Sequence, residues 1–341
     1  MPLHRFRTAK VAMFRSILVV AAMICGAAGT FNVAGQFARQ QVTATARPGP
    51  QIAGCPVFPV DNAWNVPVDK LPVDVRSKDY IGNIGAEVGL HPDFASVPSI
   101  GIPINIIDAT VRGVKVVIGY SDDSDLGNYP IPPNVRVEGG SAGDGDHHII
   151  LIDKDRCELM ELWAVESQKD GTWKAGSGIK MDLTSNGLRQ DGKGSADAAG
   201  LPILPGLVRY DEVAAGEILH ALRFTAPKTQ QAYVWPARHY ASSIIDRRYP
   251  PMGTRFRLRA DFDISSFSKA DQVILIALKR YGMFLADNGG PWFISGETDP
   301  RWNDDDLHNL NKVKGSDFEA VDDSDWPYLL NSARVDPVVM R

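Results

Sequence analysis

The chain has 341 residues, with 36 Lys and Arg against 41 Asp and Glu and a formal net charge of -5. It has no cluster of basic residues interleaved with aromatic ones, so nucleic acid is not an expected partner. The glycine-rich phosphate-binding patterns of nucleotide and dinucleotide enzymes are absent, and no nucleophilic serine is predicted between a strand and a helix. These observations disfavour nucleotide-dependent, dinucleotide-dependent and serine-hydrolase chemistry.

The N-terminal segment has the pattern of a secretory signal. Basic residues between His4 and Arg15 precede residues 17–30, which are apolar or small and carry no charge. Because this run is shorter than the roughly 20 residues of a membrane-spanning helix, we expect cleavage between Ala27 and Ala46. The mature protein is then secreted or periplasmic and not held at the membrane. An uncleaved anchor is the alternative.

Cleavage leaves two of the three cysteines, Cys55 and Cys157, in the mature chain. An even pair in an oxidising compartment predicts a disulfide, which closes a loop of about 100 residues. Two buried free thiols are the alternative.

Residues 1–46 are expected to be the signal peptide and a disordered lead. Residues 47–341 are expected to form a single β-rich domain, because no low-complexity stretch or charge block divides them. The first part of that domain is rich in Pro, Gly and Asn. It predicts an extended lead-in that contributes Trp64, Tyr80 and Phe94 to the core.

Short β-prone runs separated by turn residues follow the lead-in. They are residues 114–120, 148–153, 158–166, 173–183, 218–225, 232–235 and 255–262. Turn residues at 153–156 and 169–171 join three of these runs into a meander. Strands at this spacing predict an antiparallel β-sandwich or jelly roll.

Two short C-terminal helices are also predicted. The first begins at Ser268, with Asp271 placed as in a capping box, and ends at Gly282. Its apolar side is formed by Val273, Ile274, Ala277, Leu278 and Tyr281. The second begins at Asn303 with three aspartates in its first turn and ends near Gly315, which favours helix-dipole interactions over a metal site.

Two carboxylates are the first candidate catalytic residues. Strand parity places Glu161 on the same face as apolar neighbours, where a carboxylate is either paired or functional. Asp182 lies in the following run and faces Glu161 across a groove if the register permits. Such a pair supplies the two carboxyl groups that glycoside hydrolysis uses. In the alternative, Glu161 pairs with an arginine such as Arg223 and Asp182 caps a turn.

Histidines form a second candidate set. His148 and His220 each share a strand face with apolar residues, where an imidazole acts as a base, binds a metal or hydrogen-bonds within the core. Convergence of both with His239 gives a three-histidine metal site as an alternative, although no H-x-H or HExxH spacing supports it.

The segment from 233 to 240 is crowded with aromatic and basic side chains. Tyr233, Trp235, Arg238 and His239, together with Arg223, are predicted to bind substrate, because aromatic rings stack on sugars and arginines neutralise uronate carboxylates. Core packing is the alternative role for these residues.

No cofactor is expected from the sequence. Aspartates at 122, 123, 125, 144 and 146 lie in Gly- and Ser-containing loops that suit a structural calcium ion, but no EF-hand pattern is present. Solvated turn residues are the alternative.

Several segments resemble a group of secreted bacterial proteins that has no assigned activity. They are CPVFPVDNAWN at 55–65, SADAAGLPILPGLVRYDEV at 195–213, HALRFT at 220–225 and YVWPARH at 233–239. The resemblance extends from residue 55 to about residue 322. It implies export and a single domain, and it supplies no catalytic residues.

The expected function is degradation of an extracellular polysaccharide. A hydrolase would use Glu161 and Asp182, whereas a lyase would use a histidine or tyrosine base with Arg223 or Arg238 neutralising a uronate. A non-catalytic domain that binds glycans or the cell wall is the alternative.

Overall fold

The computed structural model describes residues 49–140, 145–326 and 331–336. The predicted signal segment lies outside these residues. These described residues belong to one compact unit. No helix in the described ranges is long and apolar enough to cross a membrane.

The described chain contains many short strands and a few helices. The strands are β1 (Gln51–Ile52), β2 (Cys55–Pro56), β3 (His91–Asp93), β4 (Ile104–Ile107), β5 (Val114–Ile118), β6 (Asn128–Tyr129), β7 (Ile149–Asp153), β8 (Glu158–Trp163), β9 (Glu166–Ser167), β10 (Trp173–Ala175), β11 (Ser177–Asp182), β12 (Leu222–Ala226), β13 (Arg255–Leu258), β14 (Met283–Asn288), β15 (Phe293–Ser295) and β16 (Phe318–Ala320). The α-helices are α1 (Ser77–Ile84), α2 (Tyr210–Ala215), α3 (Lys269–Arg280) and α4 (Asp304–Leu307). Short 3-10 helices span Ser121–Asp123, Leu204–Gly206, His308–Lys312 and Gly315–Asp317. The predicted β-rich class is thus confirmed.

Three larger sheets organise these strands. Sheet I has the order β11-β8-β7-β4, sheet II the order β6-β5-β10-β9, and sheet III the order β16-β13-β14-β12-β15-β3. The pairs β4–β7, β5–β10, β12–β14 and β3–β15 are parallel. The predicted antiparallel pairing is therefore only partly correct: the larger sheets are mixed, because strands far apart in the chain pair in parallel after long crossovers.

Alternation along sheet I separates two apolar clusters. Ile150 and Ile152 of β7 belong to the main core, whereas Ile149 and Leu151 belong to a second, smaller cluster. Val116 of sheet II packs in the second cluster. Because successive side chains point to opposite faces of a strand, β7 is buried on both sides.

The predicted meander is confirmed in sheet I, where β7, β8 and β11 pair antiparallel in that order. The run from 173 to 183 is divided into β10 and β11 at Gly176. A side chain at Gly176 would collide with the ring of Trp163. The run from 232 to 235 forms an isolated bridge between Tyr233 and Met252 instead of a strand.

Both predicted C-terminal helices are confirmed. Ser268 caps α3 by accepting a hydrogen bond from the Asp271 amide at 3.1 Å, and the predicted apolar side of α3 is buried. Asn303 caps α4 by accepting from the Asp306 amide at 3.2 Å, and the chain continues as a 3-10 helix to Lys312. Helices α1 and α2 were not predicted.

The lead-in is fastened to the sheets at several points. Trp64, Tyr80 and Phe94 are buried, as predicted. The predicted disulfide between Cys55 and Cys157 is present and links residues 102 positions apart. It joins β2, near the start of the described chain, to the turn that precedes β8.

Arg255 of β13 holds the lead-in from inside the core. Its guanidinium group donates to the carbonyl oxygens of Ala63 at 2.8 Å, Val66 at 2.9 Å and Tyr281 at 2.8 Å. It also lies over the Phe284 ring at 4.6 Å. Burial lowers the pKa of Arg255 to about 9, so the group is still a cation at neutral pH. A buried cation therefore connects sheet III to the lead-in.

Candidate functional site

Arg223 of β12 is the centre of a buried polar network. Its Nε and Nη2 donate to the two carboxylate oxygens of Asp197 at 2.8 and 2.7 Å, and its Nη1 donates to Ser295 Oγ. All three residues are buried. Burial opposes the charge on Arg223, but the carboxylate of Asp197 raises the pKa of Arg223 overall. Arg223 is thus held as a cation.

Asp287, near the end of β14, lies on one side of this arginine. Its Oδ2 is 4.0 Å from Arg223 Nη2, and its side chain is 25% exposed. Burial and the negative charge of Asp197 raise the pKa of Asp287 well above its ordinary value, even though Arg223 lowers it. Asp287 therefore has the environment of a carboxyl group that retains its proton.

Asp93, the last residue of β3, lies on the other side. The β3–β15 register pairs Asp93 with Ser295, whose hydroxyl accepts from Arg223. Asp93 is exposed. Its pKa is raised by partial burial and by the charge of Glu138, while Arg223 lowers it. Asp93, Ser295 and Arg223 thus form a row across three strands of sheet III.

A histidine–carboxylate pair borders the same network. His148 Nδ1 is 2.6 Å from Glu138 Oε2, and its Nε2 is 3.2 Å from the carbonyl oxygen of Ala196. Burial disfavours the His148 cation, but the hydrogen bond and charge of Glu138 raise its pKa overall. Burial would raise the pKa of Glu138, but His148 lowers it. Because both ring nitrogens face acceptors, the geometry suits the doubly protonated imidazolium.

Glu161 is fully buried in sheet I and bonds to backbone amides. Its Oε1 accepts from the amides of Ile203 at 3.0 Å and Leu204 at 2.8 Å. Burial raises the pKa of Glu161 to about 7, against the lowering effect of these amides. The charge of Asp197 raises the pKa of Glu161 further, and the charge of His148 lowers it. Glu161 has no access to solvent. Through its hydrogen bonds to these amides it holds in place the segment that also carries Asp197.

The pKa of Glu161 leads to a prediction about stability. Folding favours the protonated form, so this stabilisation is fully present below the ordinary pKa of 4.5 and is lost as the pH rises through about 7. Between about pH 5 and about pH 8, the free energy of unfolding should fall by about 2 to 3 kcal/mol more in the wild type than in Glu161→Gln. The variant keeps an acceptor for both amides. Denaturant titrations across this pH range measure the effect.

A matched variant controls for other titrating groups. Glu87 is exposed, and Glu87→Gln should keep the wild-type pH profile. Parallel profiles for the wild type and Glu161→Gln would show that this carboxyl is not perturbed by burial.

The structure brings some of the predicted residues together and not others. Arg223 and the nearby His148 belong to the network. Glu161 bonds to backbone amides and interacts with the network only through the charges of Asp197 and His148. Asp182 is not part of the network. In the register of β8 and β11, Glu161 is opposite Ile179, and Asp182 is opposite Glu158. The two carboxylates therefore do not face each other, which corrects the predicted pairing.

Asp182 caps a turn, as in the alternative expectation. Its Oδ1 accepts hydrogen bonds from the amide and the hydroxyl of Thr184 at 2.8 and 2.6 Å. The other half of that alternative, pairing of Glu161 with an arginine such as Arg223, does not occur, because Arg223 is bonded to Asp197.

His220 and the aromatic segment lie in other environments. His220 is buried, with Nε2 3.0 Å from Glu212 Oε2. Trp235 Nε1 donates to the carbonyl oxygen of Ser332, and Arg238 is buried and donates to the carbonyl oxygen of Arg189. His148, His220 and His239 do not converge. Within the described ranges, no group of three or more His, Cys, Asp or Glu side chains is arranged to hold a metal ion, and Asp144 lies outside those ranges.

Sequence reasoning missed Asp93, Glu138, Asp197 and Asp287. A signal existed for Asp287, because it ends the apolar run at 283–286, which is typical of a buried strand. The other three have no comparable local signal. Asp93, in particular, is brought to the site by pairing with Ser295, a residue about 200 positions further along the chain.

Comparison of the chain with models of protein families, with curated proteins and with solved structures finds no match.

Proposed function

We propose that this protein is a secreted enzyme that hydrolyses a polysaccharide, with Asp287 as the general acid and Asp93 as the general base. The observation that carries the proposal is the placement of two solvent-accessible carboxyl groups with raised pKa values on either side of Arg223. Glycoside hydrolysis needs one protonated and one ionised carboxyl group at the bond that breaks.

The strand order suggests which route the hydrolysis takes. β14 and β3 are separated by β12 and β15, so their backbones are three strand spacings, or about 14 Å, apart. Asp287 lies 4.0 Å from Arg223, and Asp93 is next to Ser295 in the sheet. The separation of the two strands leaves room for a water molecule between the two carboxyl groups. We therefore assign Asp93 the activation of water and Asp287 the protonation of the leaving oxygen. This arrangement inverts the anomeric carbon.

Elimination is less well supported than hydrolysis. A lyase needs a cation to neutralise the uronate carboxylate, but Arg223 is already bonded to Asp197. The other candidate, Arg238, is buried against Asn331 and the carbonyl oxygen of Arg189.

Two further expectations belong to this proposal. Export is supported by the disulfide, which suits an oxidising compartment. A sandwich arrangement is supported by the second apolar cluster, to which both sheet I and sheet II contribute side chains.

Product analysis tests the proposal. Residues 47–341 are produced with the disulfide formed and incubated with a panel of neutral and uronic polysaccharides. We expect new reducing ends with an inverted anomer and without the ultraviolet absorbance of unsaturated products. Absorbance would indicate a lyase. Folded protein that releases no product from any member of the panel would contradict hydrolysis.

A non-catalytic glycan-binding domain is the second candidate. It is favoured by stacked aromatic rings near the surface: Tyr233 and Tyr240 have centroids 6.3 Å apart, and His239 and Tyr240 have centroids 5.9 Å apart. Tyr240 is 36% exposed. Retention on an insoluble glycan without hydrolysis, lost in Tyr240→Ala, would support this candidate.

A further inference from the structure

A cleft is lined in part by His147, the residue that precedes His148 of the Arg223 network. Its volume is about 550 Å³, within the range of roughly 300 to 1,000 Å³ that is typical of ligand sites. Its lining includes Pro98, Pro103, His147, Ser167, Trp173 and Thr298. The turn after β3, the segment just before β7, and strands β9 and β10 all contribute to it.

His147 connects this cleft to the network around Arg223. His147 lines the cleft, whereas the next residue, His148, bonds to Glu138 in the network. The backbone of His147 has a φ of 54°, which is uncommon for a residue with a side chain and recurs at functional sites. Its carbonyl oxygen accepts from the Val165 amide at 3.2 Å. The two successive histidines thus serve two neighbouring sites.

Trp173 gives the cleft an aromatic wall. Its half-buried ring packs against the second apolar cluster and also lines the cleft. Ser167, directly opposite Trp173 on β9, is exposed. Thr298 donates its hydroxyl hydrogen to the carbonyl oxygen of Val97 at 3.0 Å, so its oxygen can still accept. An apolar ring surface therefore lies next to hydroxyl groups.

This combination matches the two kinds of surface on a pyranose ring. The C–H face of a sugar stacks on an aromatic side chain, and its hydroxyl groups hydrogen-bond to polar side chains. The charged residues of the lining, Arg136 and Glu166, have opposite signs. An acidic sugar therefore gains no net attraction from this pair. The protein as a whole also carries a net charge of -5, which disfavours an acidic ligand.

We propose that this cleft binds a sugar residue of a neutral glycan chain, stacked on Trp173, as a subsite next to the row of Asp93, Ser295 and Arg223. The inference rests on the proposed function for the role of the subsite. Binding itself is measured independently of hydrolysis.

The test is electrophoresis in native gels that contain a soluble neutral glucan, mannan or xylan, with a uronic polymer as the contrasting probe. We expect a neutral polymer to retard the wild-type protein. Trp173→Ala should raise the dissociation constant about tenfold or more, as truncation of a central aromatic anchor does. Ser167→Trp, which fills the cleft from the opposite strand, should have the same effect and does not depend on Trp173→Ala folding correctly.

Two variants outside the cleft are the controls. Tyr120→Ala removes an aromatic side chain that is 60% exposed, and Lys169→Trp adds an indole at an exposed turn. Both should be retarded like the wild type. The inference would be overturned if folded Trp173→Ala or Ser167→Trp were retarded as strongly as the wild type. It would also be overturned if only the uronic polymer retarded the wild type, or if no polymer did. If a neutral polymer retarded the wild-type protein but was not hydrolysed, the proposed function would be contradicted, whereas the inference that the cleft binds a neutral glycan would still hold.

Discussion

Replacement of Arg255 by methionine is expected to lower the free energy of unfolding by about 3 to 5 kcal/mol. The guanidinium group satisfies three buried carbonyl oxygens, those of Ala63, Val66 and Tyr281. Methionine fills similar space but donates no hydrogen bond, so these oxygens become unsatisfied in the core. Relief from burying a cation offsets part of the loss. Equilibrium unfolding in denaturant measures the difference.

Arg259, one residue beyond β13, provides the matched control. Its guanidinium group is bonded to Asp261 at the surface. Because exposed ion pairs contribute little, Arg259→Met should change the stability by no more than about 0.5 kcal/mol. Equal stability of Arg255→Met and the wild type would show that the lead-in is not held by this cation.

Removal of the disulfide is expected to have a comparable effect. The cross-link joins positions 102 residues apart, and closing a loop of about 100 residues in the unfolded chain corresponds to about 4.7 kcal/mol in the chain-entropy estimate. The Cys55→Ala, Cys157→Ala double variant should therefore be less stable by roughly that amount. Its unfolding midpoint, compared with that of the oxidised wild type, gives the measurement.

Reductant separates the cross-link from the loss of side-chain packing. It should lower the unfolding midpoint of the wild type and have no effect on the double variant. A double variant as stable as the wild type would mean that the unfolded chain is already constrained near Cys55 and Cys157.

The sequence predicted the parts of the fold whose signals are local. Ser268 and Asn303 mark helix starts because their side chains accept hydrogen bonds from amides three residues away. The meander of sheet I follows from turn residues between neighbouring runs. The disulfide followed from cysteine number and compartment, without any knowledge of the fold.

The order of sheet III could not be predicted in this way. β3 is the edge strand next to β15, although about 200 residues of chain separate them. The candidate site depends on this pairing, since it places Asp93 next to Ser295, which accepts a hydrogen bond from Arg223. The alternation of side chains along the predicted strand correctly identified Glu161 as a buried carboxylate with a specific partner. It could not show that backbone amides, rather than a second carboxylate, are that partner.

The most direct test of the proposed function is the rate of reducing-end release by Asp93→Asn, Asp287→Asn and Asp182→Asn, measured on a polysaccharide that the wild type cleaves. Removal of a general acid or base should reduce the rate about 100-fold or more in the first two variants. Asp182, the exposed last residue of β11, lies outside the network and accepts hydrogen bonds from Thr184, so its variant should keep the wild-type rate. Wild-type rates in both folded Asp93→Asn and Asp287→Asn, or loss of activity in Asp182→Asn alone, would contradict the assignment of the reaction to the Arg223 site.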